Sequence, residues 1–131
     1  MEALQNGSVL VVGATGYLGT EICRQLAEDR WRVKGLIRAT SDPEKVKTLH
    51  QINVETITGD IKDPLTLEKA MVGTDMVIST VSSTSSRQAG DSIESVDTQG
   101  QMNVVDAAIK AGVKHFVYIS VIEFSDQFPL Q

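Results

Sequence analysis

The most constraining feature of this chain is a glycine-rich turn close to its start, in the segment VLVVGATGYLG at residues 9–19. The aliphatic run at residues 9–12 is continuous, which is typical of a strand buried on both faces of a parallel sheet. After the turn, Leu18, Ile22 and Leu26 recur every fourth residue and mark one face of a helix. The segment therefore predicts a strand, a turn and a helix in direct succession, the opening unit of an α/β fold.

Short apolar runs and helical patterns alternate along the rest of the chain. Further strands are predicted at WRVKGLIR, VETIT, DMVIST and HFVYIS, and further helices after Asp42-Pro43, after Asp63-Pro64 and over about residues 93–111. Five strands alternating with four helices predict an α/β fold, a doubly wound parallel sheet of the Rossmann type in the strand order 3-2-1-4-5. The inward-facing residues expected on the last helix are Val96, Val104, Ala108 and Ile109. Gly112 is expected to end that helix.

The length of the chain fits one domain. We expect a single domain over residues 1–131, with an N-terminal tail at 1–7 and a C-terminal tail at 121–131. Eleven residues follow Ser120, which is too few for another crossover helix and strand. The sheet is therefore expected to be truncated after strand five.

Charge and hydropathy argue against several classes of partner. The formal net charge is −5 and there is no basic run, which argues against nucleic acid. No apolar run reaches the roughly 18 residues of a membrane span, and the short acidic N-terminus is not a signal peptide. The one cysteine, Cys23, excludes an intramolecular disulfide and fits a reducing compartment. We therefore expect a soluble, cytoplasmic protein without membrane association.

Each glycine of the turn has a separate physical reason in a site for a dinucleotide. Gly13 follows the strand, where the turn needs backbone angles that other residues disfavour. Gly16 lets a pyrophosphate approach the backbone, and Gly19 lets the helix pack closely, while the helix start offers N–H groups and partial positive charge. The cofactor-binding residues predicted at this turn are Gly13, Thr15, Gly16, Tyr17, Leu18 and Gly19. The alternative is that the glycines only make a tight turn.

Three sequence blocks together resemble a known group of proteins. The glycine spacing is GxxGxxG, in GATGYLG, followed by GDIKD after the third strand and VDTQGQMNVVDAAIKAGVKHFVYIS through the fifth. The sequence resembles the atypical short-chain dehydrogenase/reductase superfamily, most closely its NmrA-like and isoflavone-reductase-like branch, from Val9 to about Ser125. The resemblance implies an NAD(P)-binding Rossmann domain of the oxidoreductase type, of which the chain carries the N-terminal part.

The end of the second strand favours NADP(H) over NAD(H). Sites for NAD usually place an Asp or Glu there to bond the adenosine ribose hydroxyls, but this chain reads LIRATS. Arg38 can pair with a 2′-phosphate, and Thr40 or Ser41 can add hydroxyl donors. The alternative is that Arg38 is a solvated surface arginine that ends the strand.

The resemblance also implies roles for residues beyond the third and fourth strands. Asp60 would contact the adenine amino group, with Ile61 beside the ring. Thr80 and Val81 would lie at the ribose and nicotinamide side of the cofactor. The alternative for Asp60 is a helix cap or a turn residue, although Asp63 suits the cap better.

No catalytic residue is predicted in this chain. Typical short-chain reductases use a Tyr-x-x-x-Lys pair, in which the lysine lowers the pKa of the tyrosine so that it exchanges a proton with the substrate. Here Glu21 stands four residues after Tyr17, and Ile122 stands four residues after Tyr118. Ser120 lies where such enzymes keep a catalytic serine, but without a partner base it is better explained as a strand-end residue. Whether the chain is an enzyme stays open.

No metal site is predicted either. Neither His50 nor His115 has companions at metal-ligand spacing, so we expect both to be structural or surface residues. Cys23 lies on the first helix and is expected to be a small buried or half-buried thiol.

Three functions from different classes are compatible with these residues. The first is the NADP(H)-binding domain of an oxidoreductase, without its substrate lobe. The alternative is a non-catalytic module of the NmrA-like type that senses NADP(H) or docks to another protein. The third is a partner-binding scaffold in which the open flank of strand five recruits another chain. We expect a dinucleotide as ligand, and a homodimer or another protein as partner.

Overall fold

The computed structural model describes residues 7–80 and 99–119, in which strands and helices alternate along the chain. The elements are β1 (Ser8–Val12), α1 (Tyr17–Glu28), β2 (Arg32–Ile37), α2 (Pro43–Gln51), β3 (Glu55–Thr58), α3 (Pro64–Ala70), β4 (Met76–Ser79), α4 (Gln101–Ala111) and β5 (His115–Tyr118). The predicted alternation is therefore confirmed over these residues. The expected start of the last helix near residue 93, and Val96 with it, lie outside the described residues.

The strands form one parallel sheet in the order β3-β2-β1-β4-β5. β1 is central, since Val9 pairs with Val33 of β2 on one side and with Met76 of β4 on the other. This order confirms the predicted doubly wound Rossmann sheet. Because the strands are parallel, their carboxyl ends lie along a single edge, where ligands of such sheets bind.

The core consists of two clusters, one on each face of the sheet, and β1 contributes to both. Leu10 and Val12 pack in the cluster beneath α3 and α4, whereas Val9 and Val11 pack in the cluster beneath α1 and α2. All four side chains are at most 1% exposed. Successive side chains of a strand point to opposite faces. A strand covered on both faces therefore needs an apolar residue at every position, which explains the continuous aliphatic run.

The inner face of α1 is not the one that the periodicity predicted. Gly19 and Cys23 are buried, and Ile22 and Leu26 pack against the same cluster from a partly buried position. Leu18 is 36% exposed, so its prediction as an inward residue is wrong. Since α1 approaches the turn most closely at Gly19, its buried face centres on residues 19 and 23 and leaves Leu18 at the margin. The expected burial of Cys23 is confirmed.

The predicted starts of α2 and α3 are confirmed by their capping contacts. The Asp42 carboxylate accepts a hydrogen bond from the N–H of Glu44 at 3.0 Å, and the Asp63 carboxylate accepts one from the N–H of Leu65 at 3.2 Å. A proline occupies the beginning of each helix. No helical hydrogen bond is lost there, because the first N–H groups of a helix have no partner within it. Asp63 is thus the cap of α3, as expected.

α4 buries the side that carries Val104 and Ala108, as predicted, together with Ala107. Ile109 is 72% exposed, so its prediction as an inward residue is wrong. One residue advances about 100° around a helix, which turns position 109 away from the face centred on residues 104, 107 and 108. Gly112 follows the helix with φ +73°, the left-handed conformation that ends it, as predicted.

Candidate nucleotide-binding site

The predicted binding residues meet at the carboxyl edge of the sheet. Gly13 follows β1, Arg38 follows β2 and Thr80 follows β4, while Asp60 stands two residues after β3. Since these four strands are parallel neighbours, residues that are distant in sequence come to one edge. The fold therefore brings the glycine turn and the other predicted contacts together. Val81 lies outside the described residues.

Gly13 and Gly19 are required by the fold itself. Gly13 has φ +90°, a backbone conformation that residues with a side chain rarely adopt. A Cβ on Gly19 would lie 2.0 Å from the carbonyl oxygen of Gly13, far inside van der Waals contact. The turn needs a glycine at both positions whether or not a ligand binds.

Gly16 differs, because nothing in the described structure requires it to be a glycine. Its φ of −73° and ψ of 166° are extended angles that any residue adopts. A Cβ there would lie 3.4 Å from the carbonyl oxygen of Gly13, an ordinary contact, and the residue is exposed. The missing side chain leaves open space beside the backbone, and this fits the close approach of a pyrophosphate.

The start of α1 lies beside this open space. No side chain caps its first N–H groups, and its first turn carries no acidic residue, so the positive end of the helix dipole is not compensated there. Tyr17 is 96% exposed and Leu18 is at the margin of the helix, while Thr15 is partly buried in the turn. Such a helix start attracts an anion such as a phosphate.

Two threonines that hold the glycine turn have their hydroxyls directed into it. Thr80 is 9% exposed, and its Oγ1 donates to the carbonyl of Val12 at 3.1 Å. Thr20 Oγ1 donates to the carbonyl of Ala14 at 2.8 Å. Thr80 thus links the end of β4 to the end of β1. The sequence reasoning missed Thr20, since nothing in the pattern signals a bond from a helix back to a turn.

Arg38 begins a tight turn between β2 and α2. Its N–H donates to Ser41 Oγ at 2.9 Å, and the Ser41 N–H donates to the carbonyl of Arg38 at 3.0 Å. The nearest following acid, Asp42, is engaged as the cap of α2. The arginine is half-buried and Thr40 is exposed. The end of β2 therefore presents a cation where sites for NAD usually have a carboxylate.

Asp60 is a turn residue whose surroundings fix its position. Its Oδ1 accepts from the N–H of Lys62 at 2.9 Å, and its own N–H donates to Thr66 Oγ1 at 3.0 Å. Ile61 is 3% exposed and packs in the core beneath α3 and α4. Its side chain therefore offers little surface to a ligand, in contrast to the half-buried Asp60.

Polar side chains at the start of α4 reach the same edge, and the sequence reasoning did not single them out. Ser79 Oγ donates to Gln101 Oε1 at 3.0 Å. Asn103 Nδ2 donates to the carbonyl of Ile61 at 2.8 Å. These bonds tie α4 to the end of β4 and to the loop after β3. A polar residue on the otherwise apolar buried face of α4 was the signal available for Asn103.

The residues considered for catalysis lie on separate elements or outside the described residues. Tyr17 is at the start of α1 and Tyr118 is at the end of β5, 47% exposed, while Ser120 and Ile122 lie outside the described residues. Burial raises the pKa of the Cys23 thiol to about 12, so it stays protonated at neutral pH.

The histidines are separate from each other and from Cys23. His50 Nε2 lies 3.0 Å from Thr56 Oγ1, and His115 is exposed at the start of β5. Within residues 7–80 and 99–119 there is no group of three or more His, Cys, Asp or Glu that could hold a metal ion. Over the same stretches, no helix combines the length and apolarity needed to cross a bilayer.

A parallel sheet in this order, with a glycine turn leading into an uncapped helix, defines the NAD(P)-binding Rossmann class. Within it, the chain belongs to the NmrA-like family, which matches residues 5–129. It is 36% identical over 120 residues to the photosystem II assembly factor Ycf39 of Synechocystis and 35% identical over 125 residues to the NAD(P)H azoreductase of Xenophilus azovorans. The crystal structure of gox2253 superposes with a TM-score of 0.75 at 30% identity.

These relatives are much longer than this chain. The Ycf39 alignment covers 90% of this chain and 35% of the relative, and the azoreductase alignment covers 94% and 38%. The gox2253 structure matches 95% of this chain and 38% of its own. The chain thus spans little more than a third of the relatives it matches.

Proposed function

We propose that this chain binds NADP(H), in preference to NAD(H), as the cofactor-binding domain of an atypical short-chain dehydrogenase/reductase-like protein. The observation that carries the proposal is Gly16. It is exposed, its angles suit any residue and a Cβ would meet no clash, yet it stands at the uncapped start of α1. Glycine is acceptable as the N-cap residue of α1, and a pyrophosphate that needs the backbone at close range supplies a further reason for a glycine there.

The preference for the phosphorylated cofactor rests on the end of β2. Arg38 follows the strand in the place of the usual acid. A guanidinium can form two hydrogen bonds with the 2′-phosphate that distinguishes NADP from NAD. In this proposal Ser41 and Thr40 lie beside that phosphate.

The remaining edge residues divide between the two ends of the cofactor. Asp60 is proposed to accept a hydrogen bond from the adenine amino group, and Ile61 is proposed to lie beside the adenine ring. Thr80 supports the site by holding the turn, and we place the ribose and nicotinamide side near Thr80 and Val81. At the turn itself, the proposed contacts are those of Thr15, Tyr17, Leu18 and the three glycines.

Bound NADPH would supply a hydride to a substrate, and the relatives suggest two uses for such a domain. One of them is named as an NAD(P)H azoreductase and another as a photosystem II assembly factor. The first favours an oxidoreductase. The second favours the alternative, a non-catalytic module that binds the dinucleotide and docks to other proteins.

The proposal is tested by titrating the chain with NADPH and NADH in separate thermal-shift series. A ligand that binds only the folded state raises the melting temperature with its occupancy. We expect the larger shift with NADPH at equal concentration. Equal shifts in melting temperature with the two nucleotides would contradict the preference for NADPH. The absence of any shift would favour the scaffold function instead.

The proposal includes self-association of the chain as a homodimer. β5 is at the edge of the sheet described, with Val117 41% and Tyr118 47% exposed. Exposed strand edges and apolar surfaces favour pairing with another chain, and a two-fold dimer is the commonest arrangement. Light scattering over a dilution series should show a mass that rises with concentration. A mass of one chain throughout would rule the dimer out.

The proposed location is the cytoplasm. The single cysteine, Cys23, is buried and forms no disulfide, which is compatible with a reducing compartment. Fractionation of cells that express the tagged protein would check this, and recovery from an organelle or the membrane fraction would contradict it.

A further inference from the structure

A buried asparagine on α4 is bonded to the loop that carries Asp60. Asn103 is 9% exposed, and its Nδ2 donates to the carbonyl of Ile61 at 2.8 Å. Its Oδ1 accepts from Gln99 Nε2 at 3.1 Å. Both ends of the amide are therefore engaged, which fixes its orientation. The bond joins α4 to the loop after β3, through two residues that are 42 positions apart in sequence.

The same loop is held from its other side by α3. Thr66 Oγ1 accepts from the N–H of Asp60 at 3.0 Å and donates to the carbonyl of Asp63 at 2.7 Å. Inside the loop, the Asp60 carboxylate accepts from the N–H of Lys62 at 2.9 Å. The carboxylate is thus held locally and from α3, while α4 fixes the next residue, Ile61, through Asn103.

We propose that Asn103 is a positioning residue for recognition of the adenine base. By holding the carbonyl of Ile61, it sets the place of the Asp60 carboxylate at the edge of the sheet. A carboxylate held in place accepts a hydrogen bond from the amino group of adenine and rejects a purine that has an oxygen there. This inference rests on the proposed function, since it concerns the same nucleotide site.

The bond matters because its acceptor is buried. Without Asn103, the carbonyl of Ile61 would lose a partner in a core position, and a buried polar group without a partner is costly. The loop is then expected to shift until that carbonyl finds another donor. Such a shift moves Asp60 without touching the glycine turn, so it affects recognition of the base and leaves the pyrophosphate contacts in place.

The test compares NADPH with its hypoxanthine analogue, in which an oxygen replaces the adenine amino group. We expect wild type to bind NADPH at least about tenfold more tightly, as one hydrogen bond to a charged acceptor implies. In Asn103→Leu the two affinities should become nearly equal. The control is Asp106→Asn, which replaces a carboxylate by an amide at an exposed position of the same helix. It should keep the wild-type ratio of the two affinities.

The ratio of the two affinities separates positioning from general stability, because loss of folded protein lowers both affinities alike. Asn103→Asp is a second variant of the same shape, which replaces the donor by a carboxylate facing the carbonyl of Ile61 and should also lose the discrimination. Wild-type discrimination retained in both variants would overturn the role of Asn103. Equal binding of both ligands by wild type would overturn adenine recognition by Asp60, and with it this inference. Binding of neither ligand by wild type would overturn the proposed function itself.

Discussion

Gly16 and Gly19 are three residues apart and are glycines for different reasons. At Gly19 a Cβ would collide with the carbonyl of Gly13 at 2.0 Å, whereas at Gly16 it would lie at an ordinary 3.4 Å from the same atom. The sequence predicted a packing reason for the one and a ligand reason for the other. The geometry is consistent with that division, because a Cβ clashes at Gly19 and has room at Gly16.

Removal of the Arg38 side chain should weaken NADPH selectively. Arg38→Ala is expected to cost NADPH on the order of 1–3 kcal/mol of binding free energy, since a charge-assisted phosphate contact is lost, and to change NADH little. Isothermal titration with both nucleotides measures this. Arg32→Ala is the matched control, because Arg32 begins the same strand at the opposite edge. An equal loss for both nucleotides would contradict a contact with the 2′-phosphate.

Cys23 should be protected from thiol reagents in the folded protein. Burial raises its pKa from 9.0 to about 12, so we expect alkylation at neutral pH to be much slower in native protein than in urea. The same shift predicts a pH dependence of stability. The pKa of the Cys23 thiol is higher in the folded protein than in the unfolded chain, so the stabilisation that this difference gives is full below pH 9.0. It is lost as the pH rises toward about 12. Denaturant melts of wild type and Cys23→Ala over that range check the sign. Equal alkylation rates in the two states would contradict the burial.

Helix starts were predictable at the element scale, and helix faces were less so. Asp42 and Asp63 cap helices because the cap is a local contact between neighbours in sequence. The buried side of a helix depends on what it packs against. The periodicity therefore placed Leu18 and Ile109 inward, whereas contact at Gly19 and packing at Val104 turn them outward.

The position of α1 depends on Gly19. Gly19→Ala should destabilise the fold by about 3 kcal/mol, near the upper end of the cost of overpacking, because α1 must move away from the carbonyl of Gly13. Urea denaturation measures the loss. Gly16→Ala is the control at the neighbouring glycine, where a Cβ meets no clash, and should cost less, about 1 kcal/mol, because alanine is a poorer N-cap residue than glycine. A Gly19→Ala variant as stable as wild type would mean that α1 does not pack against the turn this closely.

At the scale of the whole molecule, the topology was predictable and the polar cross-links were not. Alternating elements and right-handed crossovers predict a doubly wound parallel sheet, and the glycine turn after the first strand favours the dinucleotide-binding order 3-2-1-4-5. Bonds such as Thr80 to Val12 and Asn103 to Ile61 join residues that are far apart in the chain. No local pattern encodes them, since they depend on side-chain placement in the assembled sheet.

The central claim is that a dinucleotide pyrophosphate lies against the backbone at Gly16. The most direct measurement is calorimetric titration of NADPH into wild type and into Gly16→Val. Valine suits the extended angles at this exposed position, so circular dichroism should show a folded domain. Its side chain would fill the space that the pyrophosphate needs. We predict binding by wild type and no measurable binding by Gly16→Val; wild-type affinity in the folded variant would contradict this account.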